Sequence, residues 1–221
     1  MQGIDSTDAH SALSDSIMTA KVLNIVKKKQ PYTWESFFKT ASKSDTETII
    51  KKGEIITLNE YYYGKSRLHL VAPLHQKYCM HPIYAGWYYA FDLRIDIDPL
   101  LNLSINELKA EMKKSPKFLR TIRSNKAPII VDAKYGMQAE PYSAMDKSLI
   151  NKRADIVKNN EKFSQNILHA LREVAEEKKN SLKHKKIYML KKVSILNLHQ
   201  TKILPYFLLG MQHHGKINLN Y

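Results

Sequence analysis

Arg67-Leu68-His69-Leu70-Val71-Ala72-Pro73-Leu74 is the stretch on which the fold turns. Its first five residues alternate polar and apolar, the period-two pattern of a strand with one solvated face. Ile55-Ile56-Thr57-Leu58 precedes it and Trp87 to Ile97 follows it, and in both runs β-branched and aromatic residues crowd between breakers. Asp92-Leu93-Arg94-Ile95-Asp96-Ile97 alternates in the same way and carries the third strand to residue 97. Strand signal thus runs from Glu47 to Asp98, and several short strands within about fifty residues predict a small barrel or sheet.

Helical signals flank this region. Thr7 to Lys28 forms the first helix, with Thr7 or Asp8 as cap, Leu13, Ile17 and Ala20 as a buried face, and Lys27, Lys28 and Lys29 at its negative end before Pro31 stops it. Val22, Leu23, Ile25 and Val26 leave it apolar on most sides, so it needs a large packing partner. A short helix follows at Trp34-Glu35-Ser36-Phe37-Phe38. Beyond the strands, Ser104 and Glu107 have the spacing of a capping box for a helix to Lys114, Lys117 to Arg123 is a basic run, and Ile129-Ile130-Val131 is a last strand. Gly136 and Pro141 mark a boundary near 140, after which Ser148 to Lys179 reads as two helices.

The remaining segment, from Ser181, is unlike the rest. It holds seven Lys and no Asp or Glu, so half of the net charge of +14 sits in the last 41 residues. Its Ile, Leu, Asn, Lys, Tyr and His follow no clear period. Two readings fit: a basic nucleic-acid arm, or a tail read in a shifted frame of an A/T-rich gene. The density of exposed-type Leu, Ile and Phe favours the frameshift.

Composition narrows the chemistry. A basic surface draws phosphate backbones and anionic lipid alike, and thirteen Tyr and two Trp add stacking surfaces that favour single-stranded nucleic acid. Cys79 is the only cysteine, which excludes an intrachain disulfide and points to a reducing compartment. With only His75 and His81 beside it, a zinc site lacks a fourth ligand. No basic-then-apolar leader is present, and the longest apolar run, Ile203 to Met211, is about half a membrane span. The expectation is a cytoplasmic protein with no membrane segment.

Asp8-Ala9-His10-Ser11-Ala12-Leu13-Ser14-Asp15 carries the residues most suited to catalysis. His10 and Asp15 are separated by about 140° on an ideal helix and converge only if His10 lies in the turn leading into it. There Asp15 would ligate a divalent cation and His10 would orient or deprotonate the attacking water in phosphodiester hydrolysis. A two-metal site needs several more carboxylates. Taken alone, the pair reads more simply as a solvated aspartate and a first-turn histidine.

Gly3-Ile4 through Asp8-Ala9-His10 to Asp15, with Lys21 and Gln30-Pro31, resembles the third exonuclease motif of bacterial exodeoxyribonuclease I, in the histidine branch of the DEDD superfamily. Val71-Ala72-Pro73-Leu74, Phe91-Asp92-Leu93, Asp96-Ile97-Asp98-Pro99-Leu100-Leu101 and Asn125-Lys126-Ala127-Pro128 are similar to that family's SH3-like domain, in the same order. Asn151-Lys152-Arg153 and Asn159 to Phe163 resemble the start of its helical domain. The resemblance covers roughly residues 3 to 178. It implies an α+β chain: a remnant helix of an RNase H-like exonuclease domain (1–29), an SH3-like α/β domain (30–140) and a partial helical domain (141–221), with 181–221 atypical.

The implied activity is Mg²⁺-dependent 3′ to 5′ hydrolysis of single-stranded DNA in repair and recombination, by a monomer. His10 matches the family's catalytic histidine and Asp15 its last metal-binding aspartate. The family's Asp-x-Glu motif and its second aspartate are absent, so Met1 reads as an internal start or the edge of a fragment, and the isolated chain is expected to be inactive. A non-catalytic binding module, or a pseudogene product, is the alternative. For binding, Tyr61, Tyr62, Tyr63, Lys65, Arg67 and His69 interleave aromatics with cations, as a stacking and phosphate-tracking surface does. Trp87, beside Tyr88 and Tyr89, reads as core. Lys113, Lys114, Lys117, Arg120 and Arg123 are either a solvated face or a contact for DNA or an anionic peptide, with Arg120 and Arg123 as the residues to test. The resemblance implies the acidic tail of single-stranded-DNA-binding protein as that peptide.

Overall fold

The structure, a computed structural model, describes the backbone of residues 11–213 and the side chains of residues 11–187. It divides into two units, residues 1–172 and 173–221. The first unit is built on five antiparallel strands: β1 (Ile56–Tyr62), β2 (Lys65–Pro73), β3 (Trp87–Asp92), β4 (Leu119–Arg123) and β5 (Ile129–Asp132), in the order β4-β3-β2-β1-β5. The first three strands follow the alternation in the sequence. In β1 and β2, Leu58 faces His69 and Glu60 faces Arg67 across the ladder. The β1–β2 turn is Tyr63-Gly64, both with positive φ (49° and 77°), the primed turn geometry that matches strand twist.

The third strand ends at Asp92, five residues earlier than the alternation suggests. Asp92-Leu93-Arg94-Ile95-Asp96-Ile97 instead turns around the Asp92 side chain, whose Oδ1 accepts from the Arg94 amide at 3.3 Å, while the Ile95 amide bonds the Asp92 carbonyl at 3.1 Å. Leu93 and Ile97 are still buried, so the apolar periodicity is real and only the backbone differs. Two elements escape the sequence patterns. α3 (Lys43–Lys51) occupies the start of the expected strand region; the Ser42 hydroxyl accepts from the Asp45 amide, and Thr46 and Ile50 supply its buried face. β4 lies inside the basic run: Phe118 and Ile122 are buried, Arg120 turns to their side of the sheet with only 10% of its side chain exposed, and Lys117 and Arg123 stay exposed.

Helices close one another's gaps around this sheet. α2 (Pro31–Lys39) lies along β5, where the Ser36 hydroxyl donates to the Ile130 carbonyl at 2.8 Å and so covers the outer edge of that strand. α4 (Ile105–Glu111) has both halves of the capping box, the Ser104 amide donating to Glu107 and the Glu107 amide to the Ser104 hydroxyl. After β5 come α5 (Ala133–Met137) and α6 (Lys147–Asn159), and α7 (Glu161–His213) gives residues 161–172 to this unit. Phe163 and Ile167 join Phe91, Leu70 and Ile150 in one core. The second unit, from Glu173, is by itself helix as far as His213, including the stretch after Ser181 that lacks periodicity.

α1 (Ala12–Lys29) departs from expectation. Its cap is Ser11, and Leu13 is 73% exposed and Ile17 47% exposed, so the face expected to be buried is open. Among the described residues nothing large covers it, which agrees with an apolar circumference that needs a bigger partner. Thr7, Asp8 and His10 lie outside the described residues. No helix among the described residues is long and apolar enough to cross a membrane.

Gly136 fixes how closely α5 meets the sheet. Its amide donates to Thr57 Oγ1 at 3.0 Å, and a Cβ there would stand 2.5 Å from that oxygen and 3.0 Å from Leu70 Cδ1. Gly136→Ala is expected to destabilise the chain by about 1–3 kcal/mol, read as a lower urea midpoint at unchanged m value.

Candidate nucleic-acid interface

The sheet's inner face carries a cluster of charged side chains centred on Asp92, which is fully buried. Arg120 of β4 grips its Oδ2 through Nε and Nη2, at 3.1 and 3.0 Å, and reaches Glu60 of β1 with Nη1 at 3.1 Å. Arg94 Nε stands 3.2 Å from the same Oδ2, and the Tyr142 hydroxyl donates to Oδ1 at 2.6 Å. His69 lies between the two carboxylates, Nδ1 3.4 Å from Asp92 and Nε2 3.4 Å from Glu60, distances of electrostatic contact without hydrogen-bond alignment. Two carboxylates and two guanidiniums thus cancel within one cluster.

Burial opposes ionisation of Asp92, but His69, Tyr142 and the two guanidiniums outweigh it and hold the carboxyl below its usual value. Burial and the same carboxylate push the Tyr142 phenol well up. Tyr88 and Tyr89 are raised to about 12, in each case chiefly by burial. These phenols act as hydrogen-bonding core groups at any physiological pH.

This arrangement sorts the residues read as binding candidates. His69 and Arg120 are internal: one is buried, the other has only 10% of its side chain exposed and both ends engaged. The alternation that placed His69 with the tyrosines is correct for the strand, but Glu60 and Asp92 draw the imidazole inside. Tyr61, Tyr62, Tyr63, Lys65 and Arg67 stay together at the exposed end of the β1–β2 hairpin. Tyr63 is completely exposed, in a left-handed conformation that costs a non-glycine residue about 1 kcal/mol. Tyr62, whose phenol is raised by burial and by Glu60, leads into a groove of about 410 Å³ between β1 and β4.

Lys117, Arg123 and Lys126 line that groove with Asn59 and Pro128. Lys126 was not among the sequence candidates; its signal is the Asn125-Lys126-Ala127-Pro128 turn. Lys113 and Lys114 sit apart at the end of α4, where Lys114 pairs with Glu111. Arg123 lies 4.2 Å over the ring of Trp87, its neighbour across the ladder, so Trp87 is only partly core. Arg67 lines a second recess with Arg94, Tyr32 and Tyr142.

Asp15 is exposed in the first turn of α1, and its partner His10 lies outside the described residues. Among the described residues no three His, Cys, Asp or Glu side chains gather as a metal site. One solvated carboxylate does not fit a two-metal hydrolytic centre.

No family model matches the chain. Exodeoxyribonuclease I of Haemophilus influenzae is 31% identical over 147 residues, 59% of this chain and 30% of that protein. Exodeoxyribonuclease I of Buchnera aphidicola (subsp. Acyrthosiphon pisum) is 26% identical over 179 residues, 72% of this chain and 40% of the relative. The chain thus spans well under half the length of these curated relatives. Among solved structures, E. coli exonuclease I in complex with a dA16 oligonucleotide matches at TM-score 0.56 and 19% identity, over 77% of this chain and 38% of that one. An ExoI/SSB-Ct complex matches to the same extent. These likenesses show the fold: mixed helix and sheet of the exonuclease I type.

A carboxylate held below its usual value contributes stability that is present above its unfolded-state pKa, about 3.9, and is lost as pH falls through the lower folded value. Asp92→Asn is therefore expected to cost about 3–5 kcal/mol at neutral pH, by leaving the largely buried Arg120 and the half-buried Arg94 short of a partner. In urea melts the gap between wild type and variant narrows as the pH is taken below about 4.

Proposed function

We propose that the chain is a member of the exodeoxyribonuclease I family over the part those relatives share with it, and that it is the single-stranded-DNA-binding portion of a 3′ to 5′ exodeoxyribonuclease of DNA repair and recombination. The observation that carries this reading is the β1–β2 hairpin: three consecutive exposed tyrosines beside Lys65 and Arg67, with no other described element packed over Tyr63. Aromatic faces accept stacked bases of any sequence, and the neighbouring cations track the phosphates between them. The strain at Tyr63 supports the same reading. A glycine would relieve it, so a tyrosine there needs a use outside the fold's own stability.

Hydrolysis belongs to a larger assembly in this proposal. Asp15 would supply one ligand to Mg²⁺ and His10 the base, and both depend on carboxylates that are not gathered near Asp15 here. We assign residues 1–29, 30–140 and 141–221 to the nuclease remnant, the SH3-like domain and part of the helical domain. The acidic tail of single-stranded-DNA-binding protein is the second proposed partner. Arg123, with Lys117 and Lys126, would meet it, since Arg120 is engaged inside the sheet.

Tyr63→Gly separates fold from function. It should raise stability by about 1 kcal/mol while weakening binding to a dT oligomer by about 1–3 kcal/mol, measured by thermal melting and fluorescence anisotropy. Lys65→Gln should flatten the dependence of log affinity on log salt by about 0.7 if it meets one phosphate. The purified chain with Mg²⁺ is expected to release no nucleotides from single-stranded DNA; Mg²⁺-dependent release would overturn the division between binding and hydrolysis.

A further inference from the structure

The two outer edges of the sheet are treated differently. β5 is covered by α2, whose Ser36 hydroxyl takes the Ile130 carbonyl. β4 pairs with β3 alone, and its hydrogen-bonding phase follows from the ends of the ladder: the Asp92 amide donates to the Phe118 carbonyl at 2.8 Å, and the Ser124 amide to the Gly86 carbonyl at 2.8 Å. Even-numbered residues of β4 therefore turn their backbone towards β3. Leu119, Thr121 and Arg123 turn their amides and carbonyls outwards, and among the described residues nothing bonds them. The open edge runs along the groove lined by Lys117, Arg123 and Lys126.

We propose that the β4 edge receives an extended acidic peptide by strand addition, with the outward backbone groups of Leu119, Thr121 and Arg123 as its ladder. The inference rests on the acidic-partner part of the proposed function for the charge of the ligand and adds where and how it docks. Main-chain pairing gives affinity in such complexes and the flanking side chains give selectivity. Three exposed cations here select acidic side chains, with Glu60 the one carboxylate in the lining and already held by Arg120. A second copy of the chain is disfavoured, since edge-to-edge pairing would bring its own Lys117, Arg123 and Lys126 against the same cations. Single-stranded DNA is disfavoured at the edge itself, because outward carbonyls repel phosphates and a nucleotide chain has no backbone amide phase to match.

Thr121→Pro removes one outward amide and leaves the β3–β4 ladder intact, a place where an edge strand tolerates proline; Thr121→Val keeps the amide. The probe is a labelled short peptide of alternating aspartate and valine, titrated by anisotropy at low salt. Thr121→Pro should weaken it at least about tenfold, Thr121→Val should bind as wild type, and the dT oligomer affinity of both should be unchanged. N-methylation of the peptide at alternate amides should abolish binding in one phase and spare it in the other. This arm uses the wild-type chain and decides the matter even if the proline variant does not fold. Peptide binding that is indifferent to Thr121→Pro and to N-methyl phase overturns strand addition while leaving the acidic-partner reading in place. A peptide that does not bind at all overturns both, and one displaced by the dT oligomer with no loss in either test marks the groove as a phosphate track and ends the proposal.

Discussion

The buried carboxylate of Asp92 is the constraint on which the rest of the sheet depends. A fully desolvated charge is tolerated only when its lone pairs are filled and its charge matched, and here Arg120, Arg94 and Tyr142 do both. Those partners come from β4, from the turn after β3 and from the segment before α6, so one side chain ties together elements far apart in sequence. It also decides where β3 stops, because the backbone turns to bring the Arg94 amide onto the same carboxylate. An apolar group at this position would hold the layers together as well by burial. It would not specify which cations turn inwards.

That specification has a consequence for binding. Arg120 and His69 are taken up by the cluster, while the tyrosine hairpin and the cations along the open edge of β4 stay outward. The two suit different ligands. Stacking platforms beside lysine and arginine are indifferent to base identity and follow a backbone of phosphates. An unpaired strand edge bordered by cations recognises another polypeptide backbone. In the proposed reading, nucleic acid and an acidic peptide meet one small sheet at separate groups.

Much of the sheet was legible because its evidence is local. The alternation at Arg67 to Val71, the Ser104 and Glu107 pair and the apolar Ile129-Ile130-Val131 each dictate backbone geometry within a few residues, and each is found where expected. Strand β4 was hidden because its inward face pairs Ile122 with a buried arginine, Arg120, and a cation-rich run also describes any solvated surface. α3 was hidden because Thr48, Ile49 and Ile50 have strand propensity, whereas the decisive signals are the Ser42 cap and the Lys43, Glu47 and Lys51 spacing, with ion pairs of 3.7 and 4.0 Å. The roles of His69 and Arg120 were not legible, since a buried ionic cluster is assembled from residues 60, 69, 92, 94, 120 and 142 and no local pattern announces it. At α1 the sequence carries opposite messages: a helical apolar face, and more apolar surface than the described residues cover.

The central claim is that single-stranded nucleic acid meets this chain at the β1–β2 hairpin. Backbone amide chemical-shift mapping with a dT oligomer tests it without altering any residue. The account predicts that the largest perturbations fall on residues 61–67 and fade along β1 and β2 towards the Asp92 cluster. Perturbations confined to α1 or α6, with residues 61–67 unmoved at saturation, would contradict it.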